Sequence, residues 1–217
     1  RSAEVTTVIV TRGATEYLEE TLAGLASQTR APQRILLVDA APADDATDAE
    51  VRALVDALRP TLPVPVVVVA APGARTFGHA VRTALATRAG DGGDTSGAPT
   101  WLWLLHDDSA PEPTALAELL RAVEAAPSVG VAGCKQRSWA GPVRVLEVGV
   151  ATSRFGRRMT GLEEPEVDQG QHDGREDVLA VGLAGSLVRR DVWTELGGTD
   201  PALGPYGDGL DLCRRAR

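Results

Sequence analysis

Near its amino end the chain reads Val5-Thr6-Thr7-Val8-Ile9-Val10-Thr11-Arg12-Gly13. The run is β-branched and almost continuously apolar, which suits a parallel strand buried on both faces better than an antiparallel strand with one wet face. Leu18, Leu22 and Leu25 follow at the spacing of one helix face, with Thr15 placed to cap the start and Pro32 beyond the end. The alternation continues with a strand at 35–39 and a helix at 48–59 that carries Val51, Leu54, Val55 and Leu58 on one face. A strand at 64–71, a helix at 77–88, a Gly/Asp/Ser loop at 89–100, a fourth strand at 101–105 and a helix at 113–126 complete the series. Strands joined by helical, right-handed crossovers predict an α/β fold: a doubly wound, mostly parallel sheet flanked by helices, its ligand loops gathered at the carboxyl ends of the strands.

Beyond residue 128 the pattern changes. Strand-like pieces at 129–133, 145–151 and 178–188, a polar surface loop at 163–176 and a short helix at 189–196 before Gly197-Gly198 predict a β-rich second half. Trp101 and Trp103 are read as core residues on opposite faces of the fourth strand. A chain of 217 residues, 43% hydrophobic and 24% charged, holds one domain with a sizeable core. The formal charge of -8 disfavours a nucleic-acid partner. The longest apolar runs, 64–71 and 178–188, fall far short of the roughly 20 residues that span a bilayer. Residues 1–10 carry no export signal, so the chain reads as an excised or processed piece. Cys134 and Cys213 lie far apart without metal or redox spacing, and three scattered histidines complete no ligand set, which fits a reducing cytoplasm.

Several α/β chemistries are excluded by residue type. The single lysine, Lys135, sits in Cys-Lys-Gln, so there is no phosphate-cradling Gly-Lys-Ser/Thr loop. The first strand-to-helix turn holds one glycine, Gly13, where a dinucleotide fold wants three. Gly185-Ser186 lacks the second glycine of a nucleophile elbow. What remains is acidic: Asp39, Asp107 with Asp108, and Asp208 with Asp211 all lie at or beyond the ends of apolar segments. Adjacent carboxylates repel unless a cation neutralises them, and hard oxygen ligands suit Mg2+ or Mn2+ together with a diphosphate. The alternative is an Asp-rich turn capping the following helix. Asp39 equally suits a turn cap, His106 a satisfied strand-end histidine, Arg189-Arg190 a solvated helix start and Trp193 a core position.

Residues 5–13, the leucine helix and Gln28-Thr29-Arg30-Ala31-Pro32 resemble the opening of family 2 glycosyltransferases with the GT-A fold, in their actinobacterial form. Ile35-Leu36-Leu37-Val38-Asp39 is similar to their second strand, and Phe77-Gly78-His79-Ala80-Val81-Arg82 to the next helix start, with Ala74 and Thr76 where the family carries Asn and Gly. Leu104-Leu105-His106-Asp107-Asp108-Ser109 falls on the family's DxD position, with His106 in the first acidic place and Asp108 in the last. Tyr206-Gly207-Asp208-Gly209-Leu210-Asp211-Leu212-Cys213 resembles its "ED.DLC" segment, with Gly209 where the second acid usually stands.

The resemblance spans nearly the whole chain. It implies one GT-A-like domain over 1–217, with a nucleotide-binding half at 1–128 and an acceptor-side half at 129–217 that family members usually extend further. It also implies inverting, divalent-metal-dependent hexosyl transfer from a nucleotide-diphosphate sugar to a glycan or lipid-linked acceptor, in cell-envelope polysaccharide synthesis at the cytoplasmic side. Membrane association would come from segments outside this chain. Thr11, Arg12, Gly13 and Asp39 would line the base and ribose pocket. Arg82, His106 and Asp107 would face the nucleotide sugar, Asp108 with Asp107 would hold Mg2+ or Mn2+, and the catalytic residues would be Asp208 as general base and Asp211, to which the role would move if Asp208 did not fill it. A GT-A-like module that binds a nucleotide sugar or glycan without transferring is the main alternative. A nucleotidyltransferase ranks last, because Thr11-Arg12-Gly13-Ala14 is a poor Gly-rich, basic loop.

Overall fold

In the computed structural model β1 (Glu4–Thr11), α1 (Leu18–Ala26), β2 (Arg34–Asp39), α2 (Asp45–Leu58), β3 (Val66–Ala70), α3 (Phe77–Leu85), β4 (Thr100–His106) and α4 (Ala115–Ala125) alternate as the periodicity predicts. The structure describes all residues except 1–2, 44, 88–98, 140–142, 156, 161, 163–165, 175–176 and 204–206, and excludes the side chains of 45 and 46. Most of the loop expected at 89–100, parts of the one at 163–176, and Tyr206 lie outside the described residues. The second half adds β5 (Val131–Ala132), β6 (Gln136–Arg137), β7 (Arg144–Glu147), β8 (Ala151–Thr152), β9 (Arg158–Met159), β10 (Glu166–Val167), β11 (Ser186–Arg189), α5 (Arg190–Glu195) and α6 (Asp208–Arg215).

The central sheet has the order β3-β2-β1-β4-β11-β5. Its first four strands are parallel, and β11 runs antiparallel to both of its neighbours. Two small antiparallel sheets, β10-β7-β6 and β8-β9, lie outside it. The expected strand at 178–188 is therefore divided. Ala180 makes an isolated bridge to Val150, and only Ser186–Arg189 joins the sheet, because Gly185 turns the chain with φ +78°. Part of the expected polar loop at 163–176 is instead β10, paired with β7.

Strand alternation sorts the core into two layers. Ile9, Ile35, Leu37, Trp101, Trp103 and Leu105 face Leu18, Leu22, Val51, Leu116 and Leu120 of α1, α2 and α4. Val8, Leu36, Val38, Leu102 and Leu104 face Ala80, Val81, Trp193 and Leu212 of α3, α5 and α6. Trp101 and Trp103 thus share a face, which corrects the expectation of opposite faces: residues two apart on a strand point the same way. Trp193 is buried in the second layer, as a core position requires.

Two local devices hold the helices in register. The Gln28 amide donates to Gly24 O at 3.0 Å and Glu112 O at 2.8 Å, while its carbonyl oxygen accepts the Leu116 N–H at 3.1 Å. One side chain so joins the end of α1 to the uncapped start of α4. At α3 the Thr76 hydroxyl accepts the His79 N–H at 3.2 Å, an N-cap at one of the positions where the chain departs from the family pattern.

Gly78 is the point of closest approach on α3, since a Cβ there would stand 1.7 Å from the Oγ and 2.9 Å from the Cβ of buried Thr199. Gly78→Ala would gain about 1 kcal/mol of helix propensity but cost about 1–3 kcal/mol of overpacking against a stiff β-branched side chain. A net loss of stability is expected, read as a lower urea midpoint at unchanged slope.

Candidate active site

The carboxyl ends of β1, β2 and β4 lie side by side, and the turns that leave them carry most of the singled-out residues. Gly13, with φ +86°, folds the β1–α1 turn back so that its N–H reaches Asp39 Oδ1 at 3.0 Å. The same oxygen accepts the Ala41 N–H at 2.9 Å. Asp39 is buried, so its carboxylate is a structural tie between the two turns as well as a candidate ligand group. Thr11 is also buried, its hydroxyl 2.6 Å from Gly13 O, and Arg12 is exposed on the same turn.

The turn after β4 is tied to the turn after β1. Asp107 Oδ2 accepts the Thr15 hydroxyl at 2.8 Å and lies 3.1 Å from the Thr11 hydroxyl, while the Thr21 hydroxyl donates to Asp107 O at 2.6 Å. Thr15 is therefore not the cap of α1. That position is Tyr17, which makes no side-chain cap bond, while Thr15 lies two residues earlier and donates its hydroxyl to Asp107. Asp108 is exposed at the end of the turn. His106 stacks obliquely on Phe77 of α3, with ring centroids 4.5 Å apart. Arg82 lies further along α3, exposed, and makes no hydrogen bond to the described residues of this cluster.

Asp208 reaches the same edge from the far end of the chain. Because β11 opposes β4, its first residue, Ser186, pairs with Leu104 near the carboxyl end of β4, and the Gly185 N–H donates to Leu104 O at 2.8 Å. The turn 181–183 leads into this crossing, and α6 rests on it through Gly209, whose added Cβ would stand 2.5 Å from Val181 O. A side chain at position 209 would therefore meet the backbone of the turn. Asp208 begins α6 half-buried, with Oδ1 accepting the Gly209 N–H at 2.8 Å. Burial raises its pKa above the ordinary aspartate value, against the opposing pull of that N–H and of the charges on His106 and Arg158.

Asp211 lies one turn further along α6. It pairs with Arg215 at 2.6 Å, and Arg215 donates to Leu196 O at 2.9 Å and Gly198 O at 2.7 Å, which locks α6 to the end of α5. Arg189 is likewise engaged, by Asp191 at 2.7 Å. The cysteines offer no nucleophile: both are free, burial pushes the Cys134 thiol up to about 11, and burial also raises Cys213.

One carboxylate at this edge escapes the motifs. Glu147 ends β7, is buried, accepts the Gly182 N–H at 2.8 Å and pairs with Arg158. Its sequence signal is the alternation itself, since Val145 and Glu147 share the inward face of β7. A small cavity lined by Glu4, Thr6, Gln33, Arg34, Trp101 and Arg190 opens at the amino ends of the strands, away from this cluster.

Among the described residues, no three His, Cys, Asp or Glu side chains converge as a metal cage. The Asp107–Asp108 turn nevertheless offers hard oxygens of the kind Mg2+ or Mn2+ takes when one or two carboxylates and a substrate diphosphate share the ion. Asp108 and the second oxygen of Asp107 are the atoms that fit. No described helix is long and apolar enough to cross a membrane.

Known proteins agree with this architecture. Mannosyltransferase PcManGT from Pyrobaculum calidifontis, in complex with GDP-Man and Mn2+, is similar at TM-score 0.58 and 20% identity, over 96% of this chain and 50% of that one. S. aureus TarS 1–349 in complex with UDP is similar at TM-score 0.58 and 15% identity, over 96% of this chain and 54% of that one. Its complex with UDP-GlcNAc gives 0.53 and 12%, over 98% and 53%. The chain spans about half the length of these proteins, and identities this low establish a likeness of fold. No curated protein sequence matches it. The family described as glycosyltransferase like family 2 matches residues 3–217. A match over nearly every residue, on a sheet of this order, means that the chain has the GT-A fold and belongs to glycosyltransferase like family 2.

Proposed function

We propose that the chain transfers a hexose from a nucleotide-diphosphate donor to an acceptor hydroxyl of a glycan or lipid-linked saccharide, with inversion. The observation that carries the reading is the half-buried Asp208 carboxylate, brought by the crossing of β11 over β4 to the edge that bears His106 and the Asp107–Asp108 turn. A buried carboxylate with a raised pKa is a stronger base than an exposed one, as proton removal from an attacking hydroxyl requires. The nucleotide complexes of the structural neighbours support the donor class.

In this reading Thr11, Arg12, Gly13 and Asp39 receive the base and ribose, where the backbone of Gly13 allows close approach. Arg82, His106 and Asp107 are assigned to the nucleotide-sugar side. Asp108, with Asp107, would hold Mg2+ or Mn2+, which supplies compensation for the charge that grows on the departing diphosphate. Asp208 accepts the proton of the acceptor hydroxyl as its oxygen bonds to the anomeric carbon, and the bond from that carbon to the diphosphate breaks. One displacement inverts the centre. Asp211 acts by holding Arg215 and thereby α6, a positioning task beside the base. A setting at the cytoplasmic face in cell-envelope polysaccharide synthesis belongs to the same reading, as does membrane association through segments outside this chain. Gly209 favours a second reading, a donor-binding module without transfer, and turnover separates the two.

Titration calorimetry of UDP and GDP should show binding that needs Mn2+ and weakens at least about tenfold in Asp108→Ala, as loss of one charged ligand implies. Absence of binding by both nucleotides, in a protein shown to be folded, would remove the donor assignment. Asp208→Asn should lower kcat by about 10²-fold to 10⁴-fold. The wild-type acid limb should lie above the ordinary aspartate range, activity falling as pH drops through the raised pKa of Asp208. Because the folded pKa is raised, the buried charge lowers stability above it, and that penalty is relieved as pH falls through it. Asp208→Asn should therefore not lower Tm at pH 7. Gly209→Asp, which restores the family's acid, should reduce turnover and stability together, since its Cβ meets the Val181 carbonyl.

A further inference from the structure

Glu147 and Arg158 are not used by the reaction as written, yet they join the base through an unbroken run of contacts. Both oxygens of buried Glu147 are engaged, one by the Gly182 N–H at 2.8 Å and the other by Arg158. A Cβ on Gly182 would stand 2.7 Å from Glu147 Oε1, so the carboxylate is seated against the backbone of the turn. That turn is the surface on which α6 rests: a Cβ on Gly209 would lie 2.5 Å from Val181 O and 3.3 Å from both Gly182 Cα and Leu183 N. Asp208 is the next residue, bonded to the Gly209 N–H. A buried carboxylate is tolerated only when paired and hydrogen-bonded, and this one has both partners, the Gly182 N–H on the turn under α6 and Arg158 on β9.

Among the described residues, His106 on β4 and Arg158 on β9 carry the charges that lower the Asp208 pKa, and on its own helix Asp211 is paired with Arg215. Cys213, on the same helix, sees Arg217 and Glu147. The Arg158 side chain is 35% exposed and is anchored by Glu147. We propose that Glu147 and Arg158 are positioning residues for Asp208, with Glu147 bracing the 181–183 turn under α6 and Arg158 holding the second oxygen of that carboxylate. The name of the role rests on Asp208 being the base; the coupling itself does not.

The test follows the Asp208 carboxyl by carbon-detected NMR titration of the full chain, in the wild type and in the double variant Glu147→Gln/Arg158→Gln, which leaves no buried charge unpaired. Loss of the Arg158 charge should move the Asp208 titration upward, and the acid limb of turnover should move with it. Arg158→Lys, which keeps the charge, should restore most of the shift. If the double variant does not fold, Arg158→Gln alone serves with the same expected direction, because Glu147 can then take up a proton. An Asp208 titration unmoved in a folded variant would overturn the proposal. A shifted titration with turnover intact in Asp208→Asn would keep the coupling and overturn only the assignment of the base.

Discussion

The site depends on the register between β1 and β4. Seven residue pairs, from Glu4 with Thr100 to Val10 with His106, bind the two central strands in parallel. Their common direction means that the turns after them leave the sheet at one height, which is why Thr11 and Thr15 can reach Asp107 across about 90 residues of sequence. A slip by one residue would exchange the two core layers, putting Trp101 and Trp103 where Leu102 and Leu104 sit, and no compact packing survives that exchange. Burial of the strands and assembly of the edge are thus one constraint seen from two sides.

Against this frame the acidic residues divide by what holds them. Asp39 and Asp107 are fixed by amides and hydroxyls of the β1–α1 turn, so their orientations are set in advance. Asp108 is exposed, and no such bond fixes its side chain among the described residues. Asp208 is held by α6, which is itself clamped by Asp211 and Arg215 to α5 and by Gly209 to the turn before β11. Preorganisation of this kind lowers the cost of arranging charges when a reaction needs them.

The first half of the fold was legible because its strands are long, apolar and buried on both faces, and its helices are strongly periodic: β1, β2 and β4 fall within a residue of their expected places. The second half was less legible, since strands of two residues such as β5, β8 and β10 carry no periodicity, and β11 follows a glycine turn inside one apolar run. The acids at the carboxyl edge were visible from position and type. Glu147 was not, because a single acid in Arg-Val-Leu-Glu reads as surface until the alternation with Val145 is followed through. Thr15 was misread because the acceptor it prefers, Asp107, is distant in sequence.

The reversed strand β11 has a consequence for how the chain is made. During synthesis β4 gains β1 as a neighbour early, but its other edge waits for residues some 80 positions later before Ser186–Arg189 can cover it. Until then a strand of Trp and Leu presents unpaired backbone to the cell, a template for intermolecular pairing. The pairing that covers this edge of β4 also leads, through the turn before β11, to the surface on which α6 rests, so protection of β4 and the seating of Asp208 depend on the same late segment.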